Sequence, residues 1–330
     1  MRCSELEANL NEMKKRIFSY EKTGDRGLDH PHQEYLKNWF DTETMNHITF
    51  LFNATAETPD SIYRDFFQCC ISNLLRDYSF QDPQDLRIRR RKSPLPIKPL
   101  IESFLEISQC YLRLKRAAPD AKKRSKTIAL NDDIRTFSQN ENLKFDAAIT
   151  SPPYTTALPY VDTQRLSLVW FNMISPNDLK HLERRLIGAR ELTLSQRHQL
   201  VESLKANSAK IPKNLHRLCL RMQYSLTGND GFRKQATPAL IYRYFDDMLT
   251  TFINCKKLLK MNAPFGLIVG HNKTSLGGIN YTLDTPNYLA NLACHAGWQL
   301  EEILELETYR RYSIHKSNSG TRENLIILRR

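Results

Sequence analysis

Glycine is scarce in this chain, with 11 residues in 330 and none between Gly27 and Gly188. A stretch without glycine has no turn at which backbone amides can approach a bound phosphate or dinucleotide closely, so a glycine-rich nucleotide loop is excluded there. Cysteine pairs at metal-ligand spacing are missing too. The seven cysteines include the adjacent Cys69 and Cys70 but no CxxC, which leaves no zinc site and no disulfide framework and points to a reducing compartment. No apolar run approaches the roughly 18 residues that a membrane span needs. The N-terminal "MRCSELEANLNEMKKRIF" lacks the apolar core and cleavage site of a secretory signal. Together these absences predict a soluble cytoplasmic protein that binds no metal and no membrane.

Positive charge is what the chain has in excess: 48 Lys and Arg against 36 Asp and Glu, a formal net charge of +12. Cations gain affinity for polyanions by releasing counterions condensed on phosphates, so the balance points to nucleic acid, with a solvated basic surface as the equal alternative. A hydrophobic fraction of 41% supports a substantial core, and the length allows a main domain with a sizeable second region.

Apolar periodicity predicts helices over residues 5–18, from about Gln33 to Thr55, from about Thr58 to Arg76 and from about Lys98 to Arg116, the second and third forming a helical hairpin. Trp39 and Phe40 fall on the second of these, as core or interface residues. The segment "DLRIRRRKSPLPIKPL" is basic and then proline-rich. It reads as an exposed loop, and Arg87, Arg89, Arg90, Arg91 and Lys92 are its candidates for phosphate contact. From "TIAL" at 127–130 onward, short apolar strands alternate with helices: strand 145–150, helix 163–173, helix 239–260, strand 265–270, helix 284–296, strand 298–306 and a terminal strand "NLIILRR". This alternation predicts an α/β sheet. The predicted division is a helical region over 1–125 for partner or DNA contact, an α/β domain over 126–175 and 238–330, and a basic helical insertion over 176–237. The insertion is the candidate for target recognition, because Arg184, Arg185, Arg190 and Arg197 lie on predicted helices that can enter a major groove.

The most distinctive stretch is "KFDAAITSPPYTTALPYVD", where a predicted strand ends in Ser151, Pro152, Pro153 and Tyr154. Ligands of open α/β sheets bind beyond the carboxyl ends of the strands, which puts these four residues on the binding rim. Two prolines stiffen the backbone and remove two amide donors, so the loop is rich in acceptors. Tyr154 offers a flat face for a planar heterocycle and Ser151 a hydroxyl, a combination suited to an exocyclic amino group. His271 and Asn272, after the strand "LIVG", belong to the same predicted rim. Asp162 is placed to cap the next helix and Arg165 to reach a phosphate, or both are ordinary capping and surface charge.

"TSPPY" after an apolar strand resembles the catalytic motif of the DNA amino-methyltransferases, in the serine form found most often among cytosine-N4 members. "RRLIGARE", "YFDDM", "LLKMNAPFGLIVGHN" and "TRENLIILRR" resemble the downstream half of that family, and "HQEYLKNWF" a helical segment some members carry upstream. The resemblance runs from about Gln33 to the C-terminus. It implies a Rossmann-like methyltransferase sheet, S-adenosyl-L-methionine as cofactor, DNA as substrate and a role in restriction-modification. It also implies a target base flipped out of the duplex, stacked on Tyr154, with its amino hydrogens accepted by Ser151 and the Pro152 carbonyl. Thr150, His271 and Asn272 are the candidates for cofactor contact.

The family's cofactor turn, Asp-Pro-Phe-x-Gly-x-Gly-Thr, has no counterpart here; "GDRG" at 24–27 follows charge rather than a strand, and "GHNKTSLGG" lacks the spacing. A second chain carrying the glycine-rich half is the expected remedy. Unusual cofactor binding, a decayed fragment, a DNA-binding subunit without chemistry and an RNA methyltransferase stay open as alternatives.

Overall fold

A computed structural model describes residues 1–23, 30–85, 87–117, 127–137, 144–155, 160–307 and 323–330. The "GDRG" segment and the basic linker at 118–126 lie outside the described residues. The chain divides into two compact units, Met1–Thr127 with Tyr160–Leu179, and Ile128–Pro159 with Lys180–Arg330.

The first unit is helical: α1 (Cys3–Thr23), α2 (Gln33–Leu36), α3 (Thr42–Ala56), α4 (Ser61–Leu75), α5 (Leu100–Ala117) and α6 (Tyr160–Trp170). Leu6, Leu10, Met13 and Ile17 recur every three or four residues and are all buried, which makes α1 amphipathic and places its apolar stripe in one core with Ile48, Phe67, Ile71 and Phe104. The helix expected over 33–55 is broken. Asp41 takes an extended backbone and its carboxylate accepts from the Thr44 amide at 2.7 Å and the Thr44 hydroxyl at 2.9 Å, so α3 starts afresh there. Asp60 caps α4 in the same way, through the Ile62 amide at 2.8 Å. The expected hairpin is present as α3 packed on α4.

The second unit holds β1 (Ala148–Thr150), β2 (Pro264–Gly270), β3 (Asn272–Leu276), β4 (Ile279–Leu283), β5 (Gln299–Leu306) and β6 (Glu323–Arg329), with α7 (Leu179–Arg185), α8 (Leu194–Ala206), α9 (Lys213–Tyr224), α10 (Phe232–Gln235), α11 (Thr237–Leu258) and α12 (Thr285–His295). Four strands form a small mixed sheet in the order β1-β2-β6-β5. β1 and β2 are parallel, and β6 runs antiparallel to both its neighbours. Alternation along β2 and β6 buries Phe265, Leu267, Val269, Ile326 and Leu328 on one face. There Phe252 of α11 meets Phe265 edge-on at 6.2 Å, and the Trp298 indole donates to the Phe252 carbonyl at 3.1 Å. The opposite face carries Ile149, 74% exposed, beside Gly266, where a Cβ would come within 3.3 Å of the Leu325 side chain.

Several expectations are corrected. Residues 127–130 form no strand; Ile128 and Leu130 are more than half exposed, so nothing is gained by aligning them in a sheet. The helix expected at 163–173 is α6, and it belongs to the helical unit rather than to the α/β domain. Leu166, Val169 and Trp170 are buried there, with Trp170 edge-on to Phe40 at 5.3 Å. The segment 176–237 is no separate lobe from Lys180 on, because Leu204, Leu215, Cys219 and Met222 share one core with α11 and the sheet. Finally, the hairpin β3–β4 was unforeseen. Its two-residue turn is Gly277-Gly278 with both φ positive, the backbone that matches strand twist, and a Cβ on Gly277 would lie 1.7 Å from the Ser225 carbonyl oxygen.

Candidate functional site

Ser151 to Thr155 follow β1 directly, at the carboxyl ends of the parallel pair β1 and β2. Hydrogen bonds to β2, β6 and Asn272 hold this loop. The Ser151 hydroxyl donates to the Ile268 carbonyl of β2 at 3.0 Å, the Tyr154 hydroxyl donates to Glu323 Oε1 of β6 at 2.6 Å, and Thr155, buried, bonds Asn272 at 2.8 Å. With its amide turned over, Asn272 accepts from both the Thr155 amide and hydroxyl and donates to the His271 carbonyl, so all its polar atoms are served. Because the Ser151 hydrogen is committed to Ile268, only lone pairs remain on its oxygen toward a ligand. Pro152 is buried and Tyr154 half-buried, its ring against the core of the unit. His271 Nδ1 lies 3.4 Å from Asp284, whose carboxylate also accepts from the Asn287 side chain at the start of α12.

Thr150, Ser151, Tyr154, His271 and Asn272 thus sit around one rim. Glu323, Thr155 and Asp284 join them without having been singled out from sequence. Asp284 carried a readable signal, the Asp-Thr-Pro start of a helix; Glu323 carried none, since its partner is 169 residues away.

A cofactor with adenosine and methionine parts needs a backbone cradle that only glycine allows. On this rim Asn272 is bonded to Thr155 and His271 faces Asp284. The space that Gly277 opens is filled by the Ser225 backbone. The described residues therefore do not fit S-adenosylmethionine by themselves.

The basic loop is first of all a fastened structure. Arg87 Nε and Arg89 Nε lie 3.1 Å and 3.0 Å from the buried carboxylate of Asp85. Arg90 donates to the Asn38 carbonyl at 2.7 Å and rests over the rings of Trp39 and Phe80, and Arg91 donates to the carbonyls of Asp77 and Ser79. Lys92 is exposed. Arg165, expected at the surface, is 7% exposed, with its guanidinium 4.6 Å from the Trp39 ring centre and 5.3 Å from that of Tyr35, whose hydroxyl it also meets. Its charge is spent inside the helical unit. Asp162 lies in the first turn of α6 rather than at the cap, and its carbonyl accepts from Gln81 at 2.9 Å.

Burial alone would raise the Asp85 carboxyl, but the hydrogen bonds and charge of Arg87, with the charge of Arg89, outweigh it and hold the group below its usual range. Its contribution to stability is complete above the unfolded value, about pH 4, and is lost as pH falls through the lower folded value. Asp85→Asn is expected to destabilise the helical unit by about 1–3 kcal/mol at neutral pH. The deficit relative to wild type should shrink on acidification in urea unfolding monitored at pH 7 and pH 3; an equal deficit at both would show that the arginine pairing is not its source.

Arg184 and Arg185 end α7, Arg190 is exposed in the loop after it, and Arg197 lies on α8 with its guanidinium 5.3 Å from the Phe232 ring centre. Arg184 and the exposed Arg185 line an open cavity with Asp133, Arg135, Arg243 and Asp247. All seven cysteines are free thiols; burial pushes Cys70 and Cys255 up to about 11 and Cys219 to about 12, so these three are not nucleophiles at neutral pH. No helix among the described residues is long and apolar enough to cross a membrane.

No family model matches the chain. Over 196 residues, 58% of its length, it is 24% identical to the Type II methyltransferase M.AvaI of Nostoc sp. (strain PCC 7120 / SAG 25.82 / UTEX 2576), and equally to that of Anabaena variabilis. The match takes in 39% of each, so the chain spans about two-fifths of the length of these curated relatives. A crystal structure from Thermus thermophilus, assigned provisionally as a DNA modification methylase, aligns with 26% of this chain and 36% of its own at 11% identity and a TM-score of 0.22.

Proposed function

We propose that this chain supplies the base-binding half of an S-adenosylmethionine-dependent DNA methyltransferase acting on an exocyclic amino group, cytosine-N4 first, within a cytoplasmic restriction-modification system. The observation that carries the proposal is the Ser151–Tyr154 loop: an acceptor-rich, proline-stiffened turn at the end of a parallel strand, with the Ser151 hydrogen tied to Ile268. The similarity to two Type II methyltransferases supports it. The cofactor would bring the methyl group. This chain would receive the flipped base on the Tyr154 ring and accept its two amino hydrogens at Ser151 Oγ and the Pro152 carbonyl, drawing the nitrogen toward tetrahedral geometry. Positioning and fixed dipoles would then do the work without a covalent intermediate. Lys92, an exposed cation at the end of the loop at 87–92, and the basic residues of the segment 184–190 would meet the DNA backbone.

The four strands would be the downstream part of a Rossmann-like sheet, and its missing part would come from a second chain. Among the described residues β1 is an edge strand, parallel to its one neighbour, with Ile149 exposed. Parallel strands are normally covered on both faces, and an uncovered apolar edge invites another strand.

The test is incubation with labelled S-adenosylmethionine and unmethylated DNA, with and without the product of the adjacent gene. Label in the DNA is expected in at least one arm; label in RNA alone, or none, would overturn the proposal. Ser151→Ala should lower transfer by about tenfold, one hydrogen bond's worth, because the Pro152 carbonyl remains. An unchanged rate would remove Ser151 from the reaction.

A further inference from the structure

The turn Asp133–Thr136, the end of α7 and the middle of α11 line an open cavity of about 380 Å³ in the second unit. Four arginines and two aspartates face it, and their pairing is uneven. Arg135 takes both carboxylates, Asp133 Oδ2 at 2.6 Å and Asp247 Oδ1 at 2.8 Å, and also donates to the Arg185 carbonyl at 2.5 Å. That leaves Arg184, Arg185 and Arg243 with no carboxylate in ion-pairing distance among the described residues.

Arg243 donates to the Ala189 carbonyl and is largely withdrawn from water, which works against its charge; yet a guanidinium keeps its proton in any protein environment. Arg184 Nε is buried with no hydrogen-bond partner. The charge of Asp247 still acts on Arg243 and that of Asp133 on Arg185, but neither makes a direct pair with them, and buried donors without partners are costly unless something else fills the space. The lining residues carry two formal positive charges in excess, and the volume falls at the low end of ligand pockets, about 300–1,000 Å³.

We propose that this cavity is a phosphate-binding site, in which Arg184, Arg185 and Arg243 take the oxygens of a phosphate or phosphodiester while Arg135, clamped by Asp133 and Asp247, braces the wall. A tetrahedral phosphate presents enough oxygens for three planar forks, whereas a carboxylate presents two. The phosphate has two sources with the same chemistry, the backbone of a nucleic acid or a soluble phosphate compound. The site stands on the cavity alone and does not require methyl transfer.

The experiment titrates the full chain with inorganic pyrophosphate by calorimetry, for wild type, Arg184→Gln, Arg243→Lys and the exposed control Lys234→Gln. Each is also tested for DNA binding by anisotropy with and without pyrophosphate. Saturable binding of one pyrophosphate per chain is expected, weakened about tenfold or more by Arg184→Gln and by Arg243→Lys, and unchanged by the control. Displacement of DNA by pyrophosphate assigns the phosphate to a nucleic-acid backbone, and binding of both together assigns it to a soluble compound. Arg184→Gln removes a group whose Nε makes no internal bond, so its melting temperature without ligand should match wild type, and the stabilisation that pyrophosphate gives wild type should be lost. Absence of saturable binding to wild type, or equal binding by both arginine variants, would overturn the site. Because no arm reads methylation, its failure is distinguishable from failure of the proposed activity.

Discussion

Tyr154→Ala is expected to lower methyl transfer to DNA by about 100-fold while weakening DNA binding much less. Loss of base stacking accounts for about 1–3 kcal/mol, and a base displaced by about 1 Å accounts for up to the remaining factor. The ring also anchors its own loop, since its hydroxyl holds Glu323 at 2.6 Å. Tyr154→Phe separates the two roles. It keeps the stacking face and removes the hydroxyl that bonds Glu323, so transfer should fall by about tenfold, the scale of one hydrogen bond to a charged group. Glu323→Gln should resemble Tyr154→Phe and not Tyr154→Ala. Initial rates with labelled methyl donor, set beside DNA anisotropy for each variant, give the comparison; equal losses in rate and binding for Tyr154→Ala would count against the flipped-base pocket.

Calorimetry with S-adenosylmethionine and the isolated chain should show no saturable binding at micromolar concentrations, and binding should appear when a chain carrying a glycine-rich strand and turn is added. The physical reason is local: on the rim Asn272 is committed to Thr155 and His271 faces Asp284, and the space that Gly277 opens is filled by the Ser225 backbone. If the partner adds its strand beside β1, Ile149→Lys should abolish both association and the gain in cofactor affinity. Ile149 is 74% exposed, so the isolated chain should keep its own melting temperature. Micromolar binding by the isolated chain would end the split-enzyme reading and send attention to residues outside the rim.

Local periodicity determined a good deal of this protein. The stripe of α1, the length of α11, the alternation along β2 and β6, and the proline-locked turn after an apolar strand are properties of neighbouring residues, and steric and hydrophobic rules act on them at short range. The Gly277-Gly278 turn was equally local and carried its hairpin, though the glycines read more readily as part of a loop. Tertiary structure decided the rest. Whether residues 127–130 become a strand depends on finding a partner, and their apolar side chains found no burial. α6 follows the Ser151–Tyr154 loop in sequence but packs with helices far upstream, because Leu166 and Trp170 find their burial there. Charge was the least legible feature. Arg165 between two rings, Arg87 and Arg89 on Asp85, and Arg135 between Asp133 and Asp247 look alike in a basic sequence, and only packing shows which cations are spent internally and which, at Arg184 and Arg243, are left facing a cavity. A guanidinium's partner is set by distances between elements up to 130 residues apart, and no window along the chain contains that information.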